Sequence, residues 1–455
     1  PAPARPAVAA ARPAAPPERP NLLVILADDL GTGDLGAYGN PAVKTPHLDR
    51  LARSGLRFDR AFLTISSCSP SRCSLLTGRY PHATGAGDSH DPLPASQTTV
   101  AETLRAAGYY TAAVGKWHLG DDAVRRFDRV IRDAVRSGCE NWVGALRDRP
   151  KDRPFFFWFA ASDAHRPFDP TPFDRYDPAA IPIPPFLPEV KETRIDLARY
   201  YGEITRLDDY VGRLLAELDR QNETARTLVV FLSDDGSPFP RCKNTLYDSG
   251  LRTPLLARLP GTVRPGGTCA GLVSAVDLAP TLLDLAGLKP PASMQGRSFA
   301  ALLRDPAARA RDEVFAEQNW HDYAARQRMV RTARHKYIRN LHPAVPLTPP
   351  VDVLRSPTFQ AMRRLRERGL LAPDHDLLFV KPRPAEELYD LESDPHELRN
   401  LAADPGSRAI LADLRARLDR WRRDTGDHDG APLRADESDR ETGEPLPGAR
   451  HWRHD

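Results

Sequence analysis

A chain of 455 residues with 41% hydrophobic content can bury a large core and has the length for two or more folding units. Its 64 basic and 61 acidic residues leave a formal charge of +3, which gives no general attraction to nucleic acid, so recognition of an acidic ligand falls to local clusters. No apolar run is long enough for a transmembrane span, and the five cysteines (Cys68, Cys73, Cys139, Cys242, Cys269) lack the paired spacing of a metal-binding motif.

Residues 1–20 are rich in Pro, Ala and Arg without apolar periodicity and read as a disordered lead-in. With no initial Met and no apolar h-region, the expectation is that a signal segment has been removed and that the protein is secreted or periplasmic. Order begins at Asn21–Ala27, a continuous apolar run that predicts a strand buried on both faces and ends in Asp28-Asp29. Thr227–Leu232 is a second such run, followed by Ser233-Asp234-Asp235-Gly236. Ligands gather at the carboxyl ends of strands in open α/β sheets. Two strands that each deliver two carboxylates there predict an all-oxygen site for a hard cation, Ca²⁺ in preference to Mg²⁺ because it does not demand octahedral geometry. Either pair standing alone would read more readily as an acidic turn after a strand.

Between these strands the pattern alternates. Helices are predicted over Pro46–Ser54, Thr98–Ala107, Arg194–Leu218 and Asp277–Leu285, and strands over Tyr109–Val114, Pro154–Ala160 and Gly271–Val276. This is an α/β pattern, a large and mainly parallel sheet between helices. Within it, Ser69 and Pro70 suit a helix N-cap and first turn, which puts Cys68 at the mouth of a helix N-terminus where an anion is favoured and Arg72 and Arg79 add donors. Lys116 and His118 follow one strand, His165 another, and Lys243 lies beyond Asp235. After Asp312 come short runs (Glu313–Glu317, Met329–Thr332, Lys336–Ile338, Glu387–Asp390) and a helix over Ser407–Arg423, which predict a smaller α+β domain of antiparallel sheet and helix. The expected division is a catalytic domain at 21–312, this subdomain at 313–424, and a loosely held charged tail at 425–455.

Cys68-Ser69-Pro70-Ser71-Arg72 followed by Leu76-Thr77-Gly78-Arg79 resembles the signature of the type I sulfatases. Gly115-Lys116-Trp117-His118, His165, and Lys243 with Tyr247-Asp248-Ser249-Gly250 resemble further motifs of that family. The resemblance implies an alkaline-phosphatase-like fold and a Cys68 oxidised to formylglycine by a formylglycine-generating enzyme. It implies a metal site of Asp28, Asp29, Cys68, Asp234 and Asp235, with Asp235 standing where the family usually has Asn or His. The catalytic set it implies is Cys68 as nucleophile, Arg72, Lys116 and Lys243 on the sulfuryl oxygens, His118 as the base that releases sulfate, and His165, with Lys243, protonating the leaving group.

Two segments, Asp235–Pro240 and Ser356–Gln360, resemble the subgroup that acts on N-sulfated glucosamine, although packing turns would read the same way. The implied activity is hydrolysis of the N-sulfate of terminal N-sulfoglucosamine in heparan sulfate through a formylglycine-sulfate intermediate. An O-sulfatase on another sugar or an aryl sulfate, and a phosphatase or phosphonate hydrolase of the same superfamily, are the alternatives. The basic and aromatic segment from Trp320 to His335 reads either as an acidic-sugar subsite or as a solvated face. The expected partners are the sulfated glycan and the modifying enzyme, with no nucleic acid and no membrane span. Oligomeric state, including a homodimer, and pairing of the other four cysteines stay open.

Overall fold

A computed structural model describes residues 19–132, 136–168, 176–428 and 432–450, so most of the expected lead-in lies outside the described residues. Eight strands form one sheet: β1 Asn21–Ala27, β2 Leu56–Phe62, β3 Tyr110–Gly115, β4 Arg129–Arg132, β5 Phe155–Ala160, β6 Thr227–Ser233, β7 Leu255–Arg258 and β8 Gly267–Ser274. Their order is β4-β3-β5-β1-β6-β7-β2-β8, parallel throughout except for β7, which runs antiparallel to both β6 and β2.

The apolar run of β1 is buried at all seven positions because both faces are covered. Leu22, Val24 and Leu26 join one core with Leu75 and Leu76, while Leu23, Ile25 and Ala27 join the opposite core with Leu207, Val211 and Leu214 of the helix Lys191–Arg220. Alternate residues of one strand thus serve two helical layers. The predicted helix Pro46–Ser54 lies in the second layer through Leu48 and Leu51.

Three strands escape the sequence pattern. β2 (LRFDRAF) interleaves Arg and Asp with its apolar residues, and β4 and β7 have four residues each, too short for periodicity to register.

A second sheet of β9 Glu313–Gln318, β10 Gln327–Thr332, β11 His335–Asn340 and β12 Glu386–Asp390 is antiparallel in the order β12-β11-β10-β9. The helix Arg408–Thr425 packs Leu411, Leu414, Leu418 and Trp421 against its Phe315, Val330, Tyr337 and Leu388. Lys336 of β11 is fully buried and ties the sheets together, bonding Glu397 at 2.6 Å, Leu246 O at 3.0 Å and Asp248.

Two expectations are corrected here. The described part of the tail is docked: Trp320 donates to Ala435 O at 2.8 Å, the Arg434 guanidinium lies 3.6 Å from the centre of the Trp320 ring, and Arg440 lies over Tyr323. The segment from Trp320 to His335 divides: Arg328 and Arg331 are neither sugar subsite nor solvated face, since they pair with Asp427 and Asp248, while Arg334, paired with Asp390, stays exposed and His321 lines a cavity. The two buried arginines need partners because folding withdraws them from water, and the carboxylates come from remote sequence. All five cysteines are buried and free. No helix among the described residues is long and apolar enough to cross a membrane.

Candidate active site

The parallel pairing of β1 with β6 matches Ala27 to Ser233, so Asp28-Asp29 and Asp234-Asp235 leave adjacent strands at the same end. β3 and β5 end level with each other, Gly115 opposite Ala160, which brings Lys116 and the segment leading to His165 to that end too. Gly115 has φ 104°, and a Cβ there would collide with Ala160 O, so this tight exit requires glycine. Asp29 and His118 both take left-handed backbone (φ 58° and 50°), turning the chain sharply just past a strand.

Cys68 opens the helix Cys68–Thr77, whose N-cap is Ser67 rather than Ser69. Ser69 instead sits in the first turn, and its Oγ accepts the His90 N–H at 2.7 Å. Pro70 falls in the same turn, where its missing N–H costs nothing.

Ligand atoms of Asp28, Cys68, Asp234 and Asp235 all lie within 4.8 Å of one another and are buried. Asp28 Oδ1, Asp29 Oδ1 and Asp235 Oδ1 have no hydrogen-bond partner. Orphaned carboxylate oxygens converging in a dry site are what a hard divalent cation satisfies, so the residues present fit one. Burial drives the Asp234 carboxyl up to about 7 against the pull of Arg72, and drives Asp235 well above the usual range. Burial acts on Asp28 as well, but Lys116, His165 and Arg72 together hold it well below that range. Asp29 stands slightly apart. Its Oδ2 bonds Lys243 Nζ at 2.8 Å, and it groups with His165 and Asp352.

The three cations expected on the sulfuryl group all touch this acid cluster. Arg72, fully buried, donates from Nε to Asp234 Oδ2 at 2.7 Å, Lys116 pairs with Asp28, and Lys243 bridges Asp29 and Asp352. Low local dielectric makes these the strongest attractions available to them. Neither Arg79, expected as a second anion donor, nor Arg72, expected on the sulfuryl oxygens, lines the pocket, Arg72 because both of its carboxylate partners lie beneath the pocket in the acid cluster. Cys68 Sγ donates to Asp235 Oδ2 at 2.9 Å, and burial pushes its thiol up to about 12 despite Lys116 and Lys243. A thiol so placed is protonated at neutral pH and a poor nucleophile.

Cys68, Lys116, His118, His165 and Lys243 face one cavity of about 610 Å³. Burial, reinforced by Lys243 and Lys116, pushes His165 down to about 3, so its imidazole is neutral at rest. His118 Nε2 lies 2.8 Å from His90 Nδ1.

The cavity also gathers residues that no sequence pattern singled out, among them His90, Arg166, Asp196 and Asp352, together with His321 from the basic and aromatic segment. Asp352 opens a helix of four residues between prolines, and nothing local marks it. The one available signal was Ser356–Gln360, four residues further on. Ser356 caps the helix Pro357–Glu367, and Thr358 donates to Asp196 at 2.7 Å. Asp196 in turn holds Arg166 by two bonds of 2.8 and 2.7 Å, and Arg166 donates to Pro238 O at 3.0 Å. Phe239 packs its ring on Tyr200 and under Arg166. The two segments singled out for substrate choice are therefore packing turns and also the brace of one cavity wall.

A mixed, mainly parallel sheet with acidic strand ends under a basic cavity defines a hydrolase of the alkaline-phosphatase-like class. The chain belongs to the sulfatase family: the family described as Sulfatase matches residues 20–138 and 134–288, and the C-terminal domain described as N-sulphoglucosamine sulphohydrolase matches 241–344. Human N-sulphoglucosamine sulphohydrolase is 35% identical, covering 90% of this chain and 90% of its own length. An ulvan-active sulfatase of Formosa agariphila is 32% identical over 91% of this chain and 77% of its own. Among solved structures, a protein in complex with its substrate D-glucosamine-2-N,6-O-disulfate matches with a TM-score of 0.73 at 21% identity, over 90% of this chain and 99% of that one. The phosphonate monoester hydrolase of Agrobacterium radiobacter matches with a TM-score of 0.69 at 22% identity, over 90% and 96%. These two likenesses show the fold.

Proposed function

We propose that this sulfatase removes the N-sulfate of a terminal glucosamine in heparan-type chains, with Cys68 in its formylglycine form. The observation that carries the reading is that the human sulphohydrolase matches over 90% of this chain and that the matched C-terminal region, residues 241–344, includes Lys243 and His321 of the cavity. The high thiol pKa of unmodified Cys68 also supports modification, because the thiol as such is a weak nucleophile.

Residue 68 as formylglycine supplies a hydrated aldehyde, one hydroxyl to take the sulfuryl group and a second to permit its release. A divalent cation, Ca²⁺ in this reading, would be held by Asp28, Asp29, Asp234, Asp235 and residue 68, and supplies polarisation of that hydroxyl. Lys116 and Lys243 hold negative charge on the sulfuryl oxygens, and Arg72, bonded to Asp234 beneath the cavity, adds positive charge from behind. His118, turned toward His90, takes the proton whose loss frees sulfate. His165 is neutral at rest, and an anionic sulfuryl group beside it raises its proton affinity, which suits it to protonate the leaving nitrogen.

The test is sulfate release, read by ion chromatography, from N-sulfoglucosamine, 6-O-sulfoglucosamine and nitrophenyl sulfate, with the mass of the peptide containing residue 68. Release from the N-sulfate and an aldehyde mass support the reading. Release from the 6-O-sulfate alone moves the chain to an O-sulfatase role. The ulvan-active relatives favour that second reading, and ulvan oligosaccharides belong in the same assay.

A further inference from the structure

Asp352 stands apart from the other carboxylates of the site. Asp28, Asp29, Asp234 and Asp235 have no exposed side-chain surface or almost none, whereas the Asp352 side chain keeps 21% of its exposure and faces the cavity. Its Oδ2 lies 3.0 Å from Lys243 Nζ and 3.7 Å from His165 Nε2. Lys243 already has a buried partner in Asp29, so its neutralisation does not require a second carboxylate. The position is built: Asp322, paired with His321 at 3.0 Å, accepts the Val351 N–H at 2.9 Å and anchors the turn that presents Asp352. Burial would raise the Asp352 carboxyl, but Lys243, His165 and His321 together hold it well below the usual range.

Such a charge is a liability toward an ester sulfate. With a divalent cation bound and the four strand-end carboxylates ionised around it, Arg72, Lys116 and Lys243 would leave the site one charge positive, as anion binding wants. Asp352 would remove that surplus, and it sets a carboxylate beside Lys243, which faces the sulfuryl oxygens, and His165, which faces the leaving atom. A sulfamate differs from a sulfate ester at one atom, the bridge, where it carries an N–H donor in place of an oxygen with only lone pairs.

We propose that Asp352 is a specificity-determining residue that reads the bridging nitrogen of an N-sulfated amino sugar. It accepts the sulfamate N–H in the bound substrate and pairs with the ammonium of the departing sugar. In the transfer, the S–O bond to the residue 68 hydroxyl forms as that hydroxyl loses its proton, and the S–N bond breaks with its electron pair on nitrogen. The nitrogen gains two protons, one delivered by His165 and matching that loss, the other taken up as the amine equilibrates with buffered solvent, and it leaves as the ammonium. An ester sulfate offers neither the N–H nor the cation and meets only repulsion. The inference rests on the N-sulfatase reading, and its test has an arm independent of N-sulfate turnover.

Asp352→Asn keeps the size of the side chain and removes its charge. The first arm measures kcat/KM of wild type and variant on N-sulfoglucosamine and on nitrophenyl sulfate. We expect the ratio of the two to fall roughly 100-fold in the variant. Equal losses on both substrates would make Asp352 a mere support for Lys243 and overturn the proposal. The second arm measures inhibition of nitrophenyl sulfate hydrolysis by glucosamine and by glucose at pH 7. Glucosamine should inhibit wild type more strongly than glucose does and lose that advantage in the variant; an unchanged advantage overturns the proposal. A wild type that leaves N-sulfoglucosamine intact refutes the N-sulfatase reading, and the glucosamine arm then still decides whether Asp352 reads an amino group.

Discussion

Ala27 and Ser233 are register partners on adjacent parallel strands, and the Asp234 N–H bonds back to Ala27 O at 3.2 Å. That pairing converts two remote acidic pairs into one cluster. We expect Asp28→Asn and Asp234→Asn to lower bound divalent metal, measured by elemental analysis, and to reduce turnover by more than about 100-fold. Chelation should reproduce the loss and lower the melting temperature, because four buried carboxylates then repel one another. A wild type that keeps full rate and melting temperature after exhaustive chelation would remove the cation from the site.

Cys68 opens a helix whose first turn is wholly buried, and Ala and Ser are both small enough for the space a Cys side chain fills. Cys68→Ala and Cys68→Ser should therefore fold with near wild-type melting curves and show no multiple turnover. The serine variant has one hydroxyl that can take the sulfuryl group and none to expel it, so intact mass should reveal a trapped sulfate ester. Sustained turnover by either variant contradicts the formylglycine reading.

His118 lies 2.8 Å from His90, and the proposed mechanism has it act after the first chemical step. For His118→Ala we expect about one equivalent of nitrophenol in a burst, followed by a steady rate some 100- to 10,000-fold below wild type. A slow reaction without a burst would shift His118 to the first step.

Asp427 is buried between Arg328, at 2.7 and 2.8 Å, and Arg422, at 2.8 Å, tying the end of a helix to β10. Burial alone would raise its carboxyl, but these arginines pull it down to about 2 from an ordinary 3.8. A carboxyl depressed in the folded state stabilises fully above its unfolded pKa, and that stability is lost as pH falls through the folded value. Asp427→Asn should therefore cost about 1 to 2 kcal/mol at pH 7, allowing for solvent screening. The calorimetric gap between variant and wild type should narrow between pH 4 and pH 2, and a gap constant across that range would show that the charge contributes nothing.

The elements easiest to read were those whose cause is local. Asn21–Ala27 and Pro46–Ser54 have the boundaries read from sequence, the first because a strand covered on both faces leaves an unbroken apolar run, the second because Pro46 marks the first turn and Gly55 follows the last. Where a strand carried outward charge, as in β2, or spanned four residues, as in β4 and β7, the pattern was lost in the connecting chain. The same division holds in the site. Acidic pairs after apolar strands and a Cys at a helix start carry their chemistry in adjacent residues. Asp352 and His90 sit in segments without period or motif, and only packing gives them a role.

By itself the sequence determined which residues could hold a cation or take a sulfuryl group, because strand ends, helix starts and short motifs are local consequences of side-chain type. The tertiary structure alone decided which charges meet. Lys243 touches both Asp29 and Asp352, 214 and 109 residues away, and Arg166 is braced by Asp196, Pro238 and, through Asp196, Thr358. Charge interactions in a buried site depend on distance and dielectric, and neither is written along a chain until the sheet pairs its strands and water is expelled.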